Sequence, residues 1–170
     1  MNKRGAYFFV LDAFIGAAIF LITTVLIMGS YMNKPDIRQS HTLADDTMSY
    51  IINTRVRDYA DPYVIKLVNN GNITNLDITL YSQILEFHYT NHAELATNFT
   101  KNILETLWET HYGVSYNIIE EDGSSTIIYN RSTERINNSR FLLSSKRLAF
   151  YKLNETTYFG PSIAEVKVWG

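Results

Sequence analysis

The sequence predicts an α+β protein, in which a long apolar N-terminal helix is followed by a helical segment and a small, mostly antiparallel sheet. Three observations support this. Residues 6–32 are almost uninterruptedly apolar. Residues 36–109 contain apolar positions at the i, i+3, i+4 spacing of amphipathic helices. After Gly113, apolar residues recur at every second position, as they do in strands. Helices that precede a run of strands are typical of the α+β class.

Three parts are predicted along the chain: a short basic leader over residues 1–5, a transmembrane or filament-core helix over 6–32, and an extracellular α+β head over 33–170.

The 170 residues carry a net charge of −2 and 46% hydrophobic side chains. That composition supports one ordinary core and argues against a nucleic-acid partner. The chain has no cysteine, which excludes disulfides, thiolate zinc sites and thiol nucleophiles.

The apolar run from Ala6 to Met28 is long enough to cross a bilayer. Its one charged residue is Asp12, and a helix of this length extends about 34 Å against a hydrocarbon core of about 30 Å. Lys3 and Arg4 precede the run, and positive charge at that end keeps the N-terminus cytoplasmic and the head outside. The run exceeds the apolar stretch of a secretory signal and no small-x-small site follows it, so we expect a retained helix.

A carboxylate inside a membrane helix needs a physical reason. At the bilayer centre it costs roughly 2.5 kcal/mol or more unless it pairs or reaches the interface. Asp12 lies near the cytoplasmic end of the run. Two interpretations follow: it pairs with a positive group, such as Lys3 or Arg4 of the same or another chain, or it is tolerated because it reaches the headgroups.

The stretch KRGAYFFVLDAFIGA resembles the class III signal of type IV pilins, a basic leader ending in Lys-Arg-Gly before an aromatic-apolar helix with one acid near its start. Leu-Asp-Ala, where bacterial pilins have Ile-Glu, is similar to archaeal pilin-like proteins, as are LLSSKRLAF and IAEVKVW near the end of the chain. The resemblance implies that a prepilin peptidase cuts between Gly5 and Ala6. The mature helix would first anchor the subunit and then pack into a filament core.

The position of the acid departs from the family pattern. In bacterial pilins the acid is the fifth mature residue, and the resemblance implies that it neutralises the amino terminus of a neighbouring subunit. A cut after Gly5 makes Asp12 the seventh mature residue. Because of this offset, neither the cleavage position nor the role of Asp12 follows directly from the bacterial pattern.

Five N-x-[ST] sequons follow the apolar helix, on the side predicted to be outside. Their asparagines are Asn72, Asn98, Asn130, Asn137 and Asn154. Such sequons accept N-linked glycans on exported proteins, but a chain rich in Asn and Thr also produces them by chance. The five asparagines are therefore glycosylation candidates.

The head is predicted to start with a helix over residues 36–59, after a boundary near Asn33 or Lys34 that Pro35 favours. One face at helical spacing is mostly apolar. It consists of Met48, Ile51, Ile52, Arg55, Val56 and Tyr59. The pattern fits a long stalk, half in the membrane and half packed on the head. A membrane anchor, a linker and an unrelated domain would produce the same pattern.

More helices are predicted before the sheet. Asp61 is typical of an N-cap, Pro62 of a first helical position, and the Asn-Asn-Gly of residues 69–71 ends the short helix between them. Residues 79–109 are helix-prone, and a break near residues 89–92 divides them into two helices.

Four strands are predicted after Gly113, joined by polar turns. Val114, Tyr116 and Ile118 alternate with polar residues, and a turn at residues 121–124 leads into the returning strand. The ranges for the remaining elements are 126–129 for the returning strand, 131–140 for a loop, 141–152 for a strand, 154–161 for a turn and 162–169 for the final strand. In the final strand the alternation runs through Ile163, Glu165, Lys167 and Trp169.

No set of residues in the sequence predicts an active site. His88 and His92 lie at i, i+4 without an H-E-x-x-H frame, so we interpret them as a surface pair. The acidic residues at 45–46 and 120–122 are typical of a helix surface and a hairpin turn. Ser144–Lys146 lacks S-x-x-K spacing, and the eight glycines form no phosphate loop. We expect no enzyme, no cofactor and no metal site.

Two functions from different classes follow. The resemblance implies a major or minor structural subunit of an archaeal type IV pilus-type filament. Its partners would be other pilin subunits in a homo- or hetero-polymer, membrane lipids before assembly, and the prepilin peptidase. The alternative is a singly anchored membrane protein with an extracellular binding or adhesion domain. A third possibility, an ectoenzyme, is disfavoured because no catalytic constellation stands out.

Overall fold

The computed structural model describes residues 3–32, 37–132, 139, 141–152 and 156–170, and its fold confirms the predicted α+β class. The helices in that part of the chain are α1 (Lys3–Met32), α2 (Ile37–Asn53), α3 (Pro62–Asn69), α4 (Leu80–Tyr89) and α5 (Ala93–Leu107). The strands are β1 (Gly113–Ile119), β2 (Ser125–Arg131), β3 (Leu142–Lys152) and β4 (Tyr158–Trp169). Two compact units result, Met1–Arg38 and Gln39–Gly170.

Helix α1 forms most of the first unit and has no polar stripe. Its segment Val10–Gly29 has a mean hydropathy of 2.4, and none of it is buried. Among the described residues it is the one helix long and apolar enough to cross a membrane. Its threonines are compatible with lipid because their hydroxyls donate to carbonyls one turn back, as Thr24 Oγ1 does to the Phe20 oxygen at 2.8 Å.

The second unit contains a four-stranded antiparallel sheet in the order β2-β1-β4-β3, with β2 and β3 at its edges. Alternate residues of the two central strands are fully buried and lie on the side that the helices cover, which we call the inner face. They are paired as Val114 with Val168, Tyr116 with Val166, and Ile118 with Ala164. The opposite side is the outer face.

The head has a hydrophobic core of its own. Fully buried side chains from three helices meet the inner face of the sheet, namely Met48 and Ile51 from α2, Ile84 and Leu85 from α4, and Phe99, Ile103 and Leu104 from α5. Burying a side chain of this size stabilises a fold by about 1.5–3 kcal/mol. All of these residues belong to the second unit, which therefore has a core built from its own side chains.

Helix α2 is shorter than the predicted helix over residues 36–59. Asp36, where that predicted helix begins, lies outside the described residues. Helix α2 ends at Asn53, and the chain then runs beside the segment that precedes α4. Val56 N donates to Ile78 O at 2.9 Å, and Leu80 N donates to Thr54 O at 2.9 Å. These bonds use backbone groups that a longer helix would have needed. Val56 and Tyr59 are still buried, but from a 3₁₀ turn.

The predicted start of α3 and the predicted break between α4 and α5 are confirmed, whereas α5 ends at Leu107, before the predicted residue 109. Asp61 caps α3, because its carboxylate accepts from Tyr63 N at 2.7 Å. Helix α3 ends at Asn69, just before Gly71, which has a φ of +74°. The break between α4 and α5 contains Asn91 at a φ of 61°, which a helix cannot continue through.

The final strand begins earlier than predicted, at Tyr158 rather than Ser162. The register slips where Gly160 and Pro161 of β4 lie opposite the single residue Phe150 of β3. A bulge therefore lets a glycine-proline pair, which predicts a turn, sit within a strand. The predicted alternation of Ile163, Glu165, Lys167 and Trp169 corresponds to the outer face, whereas the even-numbered residues face the helices.

Candidate functional site

The predicted processing site lies at the start of α1. The helix already includes Lys3, Arg4, Gly5 and Ala6. Cleavage between Gly5 and Ala6 would require this first turn to unwind, and the cost is small because the first N–H groups of a helix have no intrahelical partner. The cut stays a prediction.

Asp12 is exposed on α1 in the middle of an apolar surface. Side chains on a helix meet those three and four residues away, and for Asp12 these are Phe8, Phe9, Ile15 and Gly16, none of which is charged. Arg4, eight residues away, is about 12 Å farther along the axis. A continuous helix thus disfavours pairing of Asp12 with Lys3 or Arg4 of its own chain. A positive group of another molecule and the headgroups are the partners that helix geometry allows.

One side of α1 near Asp12 is suited to close approach by another helix. Small residues leave a shallow apolar depression there, lined by Val10, Ala13, Phe14 and Ala17. In lipid, where helices gain nothing from hydrophobic burial against each other, small residues let backbones pack closely. This face is the part of α1 that we expect to pack against a second apolar helix.

The glycosylation candidates differ in their surroundings. Asn72 and Asn130 are exposed, in the loop after α3 and on the edge strand β2. Asn98 lies half-buried on α5, and Thr100 of its sequon is fully buried with no hydrogen-bond partner for its hydroxyl. Access to that sequon would require α5 to be unpacked. Asn137 and Asn154 lie outside the described residues.

His88 and His92 do not form the expected surface pair, because α4 ends between them. His88 lies in the last turn of α4, and its Nε2 is 3.1 Å from Glu120 Oε1 at the end of β1. His92 precedes the first residue of α5. The turn at Asn91 therefore separates the two rings, and sequence spacing alone could not show this.

A polar network around Tyr89 joins α4 to the sheet, and sequence reasoning did not anticipate it. The Tyr89 hydroxyl is 2.5 Å from Ser162 Oγ on β4 and 3.4 Å from Glu120 Oε2. Burial raises the pKa of Tyr89 above its usual value, more than its bond to Ser162 lowers it. Ser162 is almost fully buried, and its bond to Tyr89 ties α4 to β4.

The two stretches that support the family resemblance, LLSSKRLAF and IAEVKVW, pair with each other as β3 and β4. On their outer face Glu165 is nearly buried, with 5% of its side chain exposed, yet it contacts Lys146 Nζ at 3.3 Å and Lys167 Nζ at 3.0 Å. Ser144 Oγ donates to it at 2.8 Å. Burial alone would raise the pKa of Glu165, but the bonds from Lys167, Ser144 and Lys146 outweigh it and hold the pKa below its usual range.

Two clefts of the head have volumes of about 230 Å³ and 220 Å³. One of about 230 Å³ lies between the loop after α3 and helices α4 and α5, lined by Gly71, Asn72, Thr74, Glu86, Phe87, Thr90, His92 and Leu95. Ligand sites usually exceed about 300 Å³. Within the described residues, no three His, Asp or Glu side chains are grouped so that they could hold a metal ion.

No protein-family model, no curated protein and no solved structure matches this chain. The family resemblance therefore rests on the residues of the chain itself, above all on those of the N-terminal helix.

Proposed function

We propose that this protein is a structural subunit of a type IV pilin-like surface filament of the archaeal kind, assembled through α1. The observation that supports this most is the N-terminal helix, whose apolar segment Val10–Gly29 has no part buried. A surface of this kind must be covered by lipid or by other apolar helices. In a subunit that passes from the membrane to a filament core, this surface is covered first by lipid and then by the apolar helices of other subunits.

Asp12 favours assembly over simple anchorage. A helix that only holds a head in the membrane gains nothing from a carboxylate within its apolar run, where such a charge is tolerated only if it pairs or reaches the interface. The neighbouring positions on α1 supply no counter-charge, so the partner has to come from elsewhere. In a filament, the amino terminus that cleavage leaves on Ala6 of another subunit is such a group.

The alternative is a singly anchored protein whose head binds a ligand or partner outside the cell. It is favoured by the independent core of the head and by the candidate glycosylation sites Asn72 and Asn130 on its exposed surface. The same features would suit a filament subunit.

Mass spectrometry of the mature protein from its native cell separates the two functions. The filament subunit should begin at Ala6, because the leader is removed before assembly. A protein that begins at Met1 and is extracted from the membrane as a monomer would contradict the proposal and favour the single anchor.

Substitution of Asp12 tests its part in assembly. We expect Asp12→Ala to insert into the membrane at normal levels but to yield few or no filaments, whereas Asp12→Glu should retain most of them. Asp46→Ala, which removes an exposed acid of the head, is the matched control and should assemble normally. Normal filaments from Asp12→Ala would remove the charge-pairing role.

A further inference from the structure

The outer face of the sheet carries an exposed apolar cluster at the end where β3 leads into β4. Its members are Leu148, Phe150, Tyr158 and Ile163, with 61%, 58%, 63% and 37% of their surface exposed. We call these four residues the outer patch. An exposed group of large apolar and aromatic side chains on one face is typical of a surface that contacts something else.

The strand register puts the outer patch on a single face. Leu148 pairs with Ile163, and Lys152 pairs with Tyr158. Phe150 lies between Leu148 and Lys152 on the same side of β3, because side chains alternate along a strand. The residues between them point to the helices: Ala149 is fully buried, and Tyr151 is stacked near Tyr89 of α4.

Two lysines flank the outer patch along β3, Lys146 before Leu148 and Lys152 after Phe150. Lys146 and Lys152 lie on β3 and Lys167 on β4, all on the outer face, whereas the acid among the described residues of that face is the nearly buried Glu165. Three lysines against one carboxylate leave an excess of two positive charges. Lys152 Nζ lies 5.5 Å from the centre of the Tyr158 ring. Glu155, in the connection between the strands, lies outside the described residues.

This charge argues against a second copy of the chain and for an anionic occupant. Two identical patches that met face to face would bring the flanking lysines of both copies near each other, whereas an anionic bilayer attracts a lysine near its surface by about 1 kcal/mol. A peripheral membrane surface has this composition: leucine and phenylalanine insert among the headgroups, tyrosine lies at the headgroup level, and lysines lie beside them.

The connection to α1 keeps the head near such a surface. The chain leaves α1 at Met32 and enters the second unit at Gln39, and seven residues span at most about 25 Å. Wherever α1 lies in a membrane, the head is therefore held at a high effective concentration near that membrane's surface. Even a weak contact would then be occupied for much of the time.

We propose that the outer patch docks on the anionic surface of the bilayer that holds α1, with Leu148 and Phe150 inserted among the headgroups. The proposal rests on the membrane anchorage of the proposed function but not on filament formation. It gives the unassembled subunit a resting state in which the head lies on the membrane.

A single probe on the full-length protein tests this docking, since the chain has no cysteine of its own. Phe150→Cys is labelled with a bimane fluorophore, and the protein is reconstituted into phosphatidylcholine vesicles with about one third phosphatidylglycerol, which supplies the negative surface potential. Brominated lipids then report contact by quenching. The matched control is Ile65→Cys on α3, an apolar position that is 55% exposed and belongs to no strand.

We expect several-fold stronger quenching at position 150 than at 65, and weaker quenching in pure phosphatidylcholine. Lys152→Glu in the labelled protein should lower the signal, whereas Lys66→Glu on α3 should not. Protein that floats with the vesicles but shows equal quenching at both positions overturns the docking alone. If the label at position 150 is shielded from solvent only at high protein density and is not quenched by brominated lipids, the docking on the bilayer is overturned in favour of contact with a second copy. Failure to float with vesicles overturns the anchorage itself.

Discussion

At the residue scale, two glycines show how a similar backbone conformation can carry different costs. Gly160 in the β4 bulge has a φ of +105°, and a Cβ added there would lie 2.5 Å from the Ala149 carbonyl oxygen. Gly123 in the β1–β2 turn has a φ of +84°, and a Cβ there would meet no atom within 4 Å. Both conformations favour glycine, but at Gly160 a fixed backbone atom also blocks the side chain.

We expect Gly160→Ala to destabilise the head by about 3 kcal/mol or more, because the strained dihedral and the clash add. Gly123→Ala is the matched control and should cost about 1–2 kcal/mol for the dihedral alone. Urea unfolding of residues 39–170 measures both. Equal losses would show that the backbone around the bulge relaxes to admit a side chain.

Glu165 makes the stability of the head depend on acid pH. Its folded pKa lies below the ordinary carboxyl value of 4.5, so the unfolded state binds the proton more readily. The stabilisation is present in full above that ordinary value and is lost as the pH falls through the lower folded value. We expect Glu165→Gln to cost about 2 kcal/mol near neutral pH, the value of hydrogen bonds to a charged group.

Urea unfolding repeated below pH 4.5 distinguishes the loss of the carboxylate's charge from a packing defect. The difference between Glu165→Gln and the parent should shrink as the parent's carboxylate is protonated. Glu109→Gln, whose side chain is 81% exposed, is the control and should change little at any pH. A loss that stays constant as the pH falls would mean that packing, and not charge, explains the effect.

At the element scale, local signals located the start of a helix better than periodicity located its end. Asp61 and Pro62 mark the start of α3 with groups that act within one turn. The apolar spacing through Val56 and Tyr59 continues beyond the end of α2 at Asn53, since burial is satisfied by any conformation that keeps these side chains inside. Backbone bonds to residues 76–80 ended the helix, and no local pattern encodes them.

The cap of α3 can be measured by substitution. Asp61→Ala should cost about 1 kcal/mol, since Tyr63 N would lose its acceptor at the helix start. Asp61→Asn should retain most of the stability, and Asp46→Ala on the exposed side of α2 is the control. If Asp61→Ala unfolds at the same urea concentration as the parent, the cap contributes nothing and Pro62 alone sets the start of α3.

At the scale of the whole molecule, the division of the chain predicts which truncation is tolerated. Removal of residues 1–38 deletes α1 and leaves the buried residues of the head in place. The remaining chain should be monomeric in dilute solution and unfold in a single cooperative transition. Removal of residues 1–53 also deletes α2 with Met48 and Ile51, at about 2–5 kcal/mol for each large side chain lost.

The longer truncation should therefore unfold or aggregate, because the expected loss approaches the 5–15 kcal/mol that stabilise a typical domain. Circular dichroism with thermal melting compares the two fragments. If the fragment that lacks α2 folds and unfolds cooperatively, the head is complete without this helix, which then only packs on its surface. The stalk interpretation of α2 would then be favoured over its place in the core.

The sequence by itself determined the α+β class, the long apolar helix with its one carboxylate, the cap at Asp61 and the break near Asn91. These features depend on composition, spacing and contacts within a turn, and all of them can be read locally. It also suggested the processing and pairing residues, which stay predictions.

Only the tertiary structure decided the end of α2, the bulge at Gly160, the separation of His88 from His92 and the burial of Glu165 between two lysines. It also decided that the residues of the outer patch share an exposed face. Each of these depends on residues far apart in the chain, whose meeting is set by strand register and helix packing. No local pattern in the sequence contains that information.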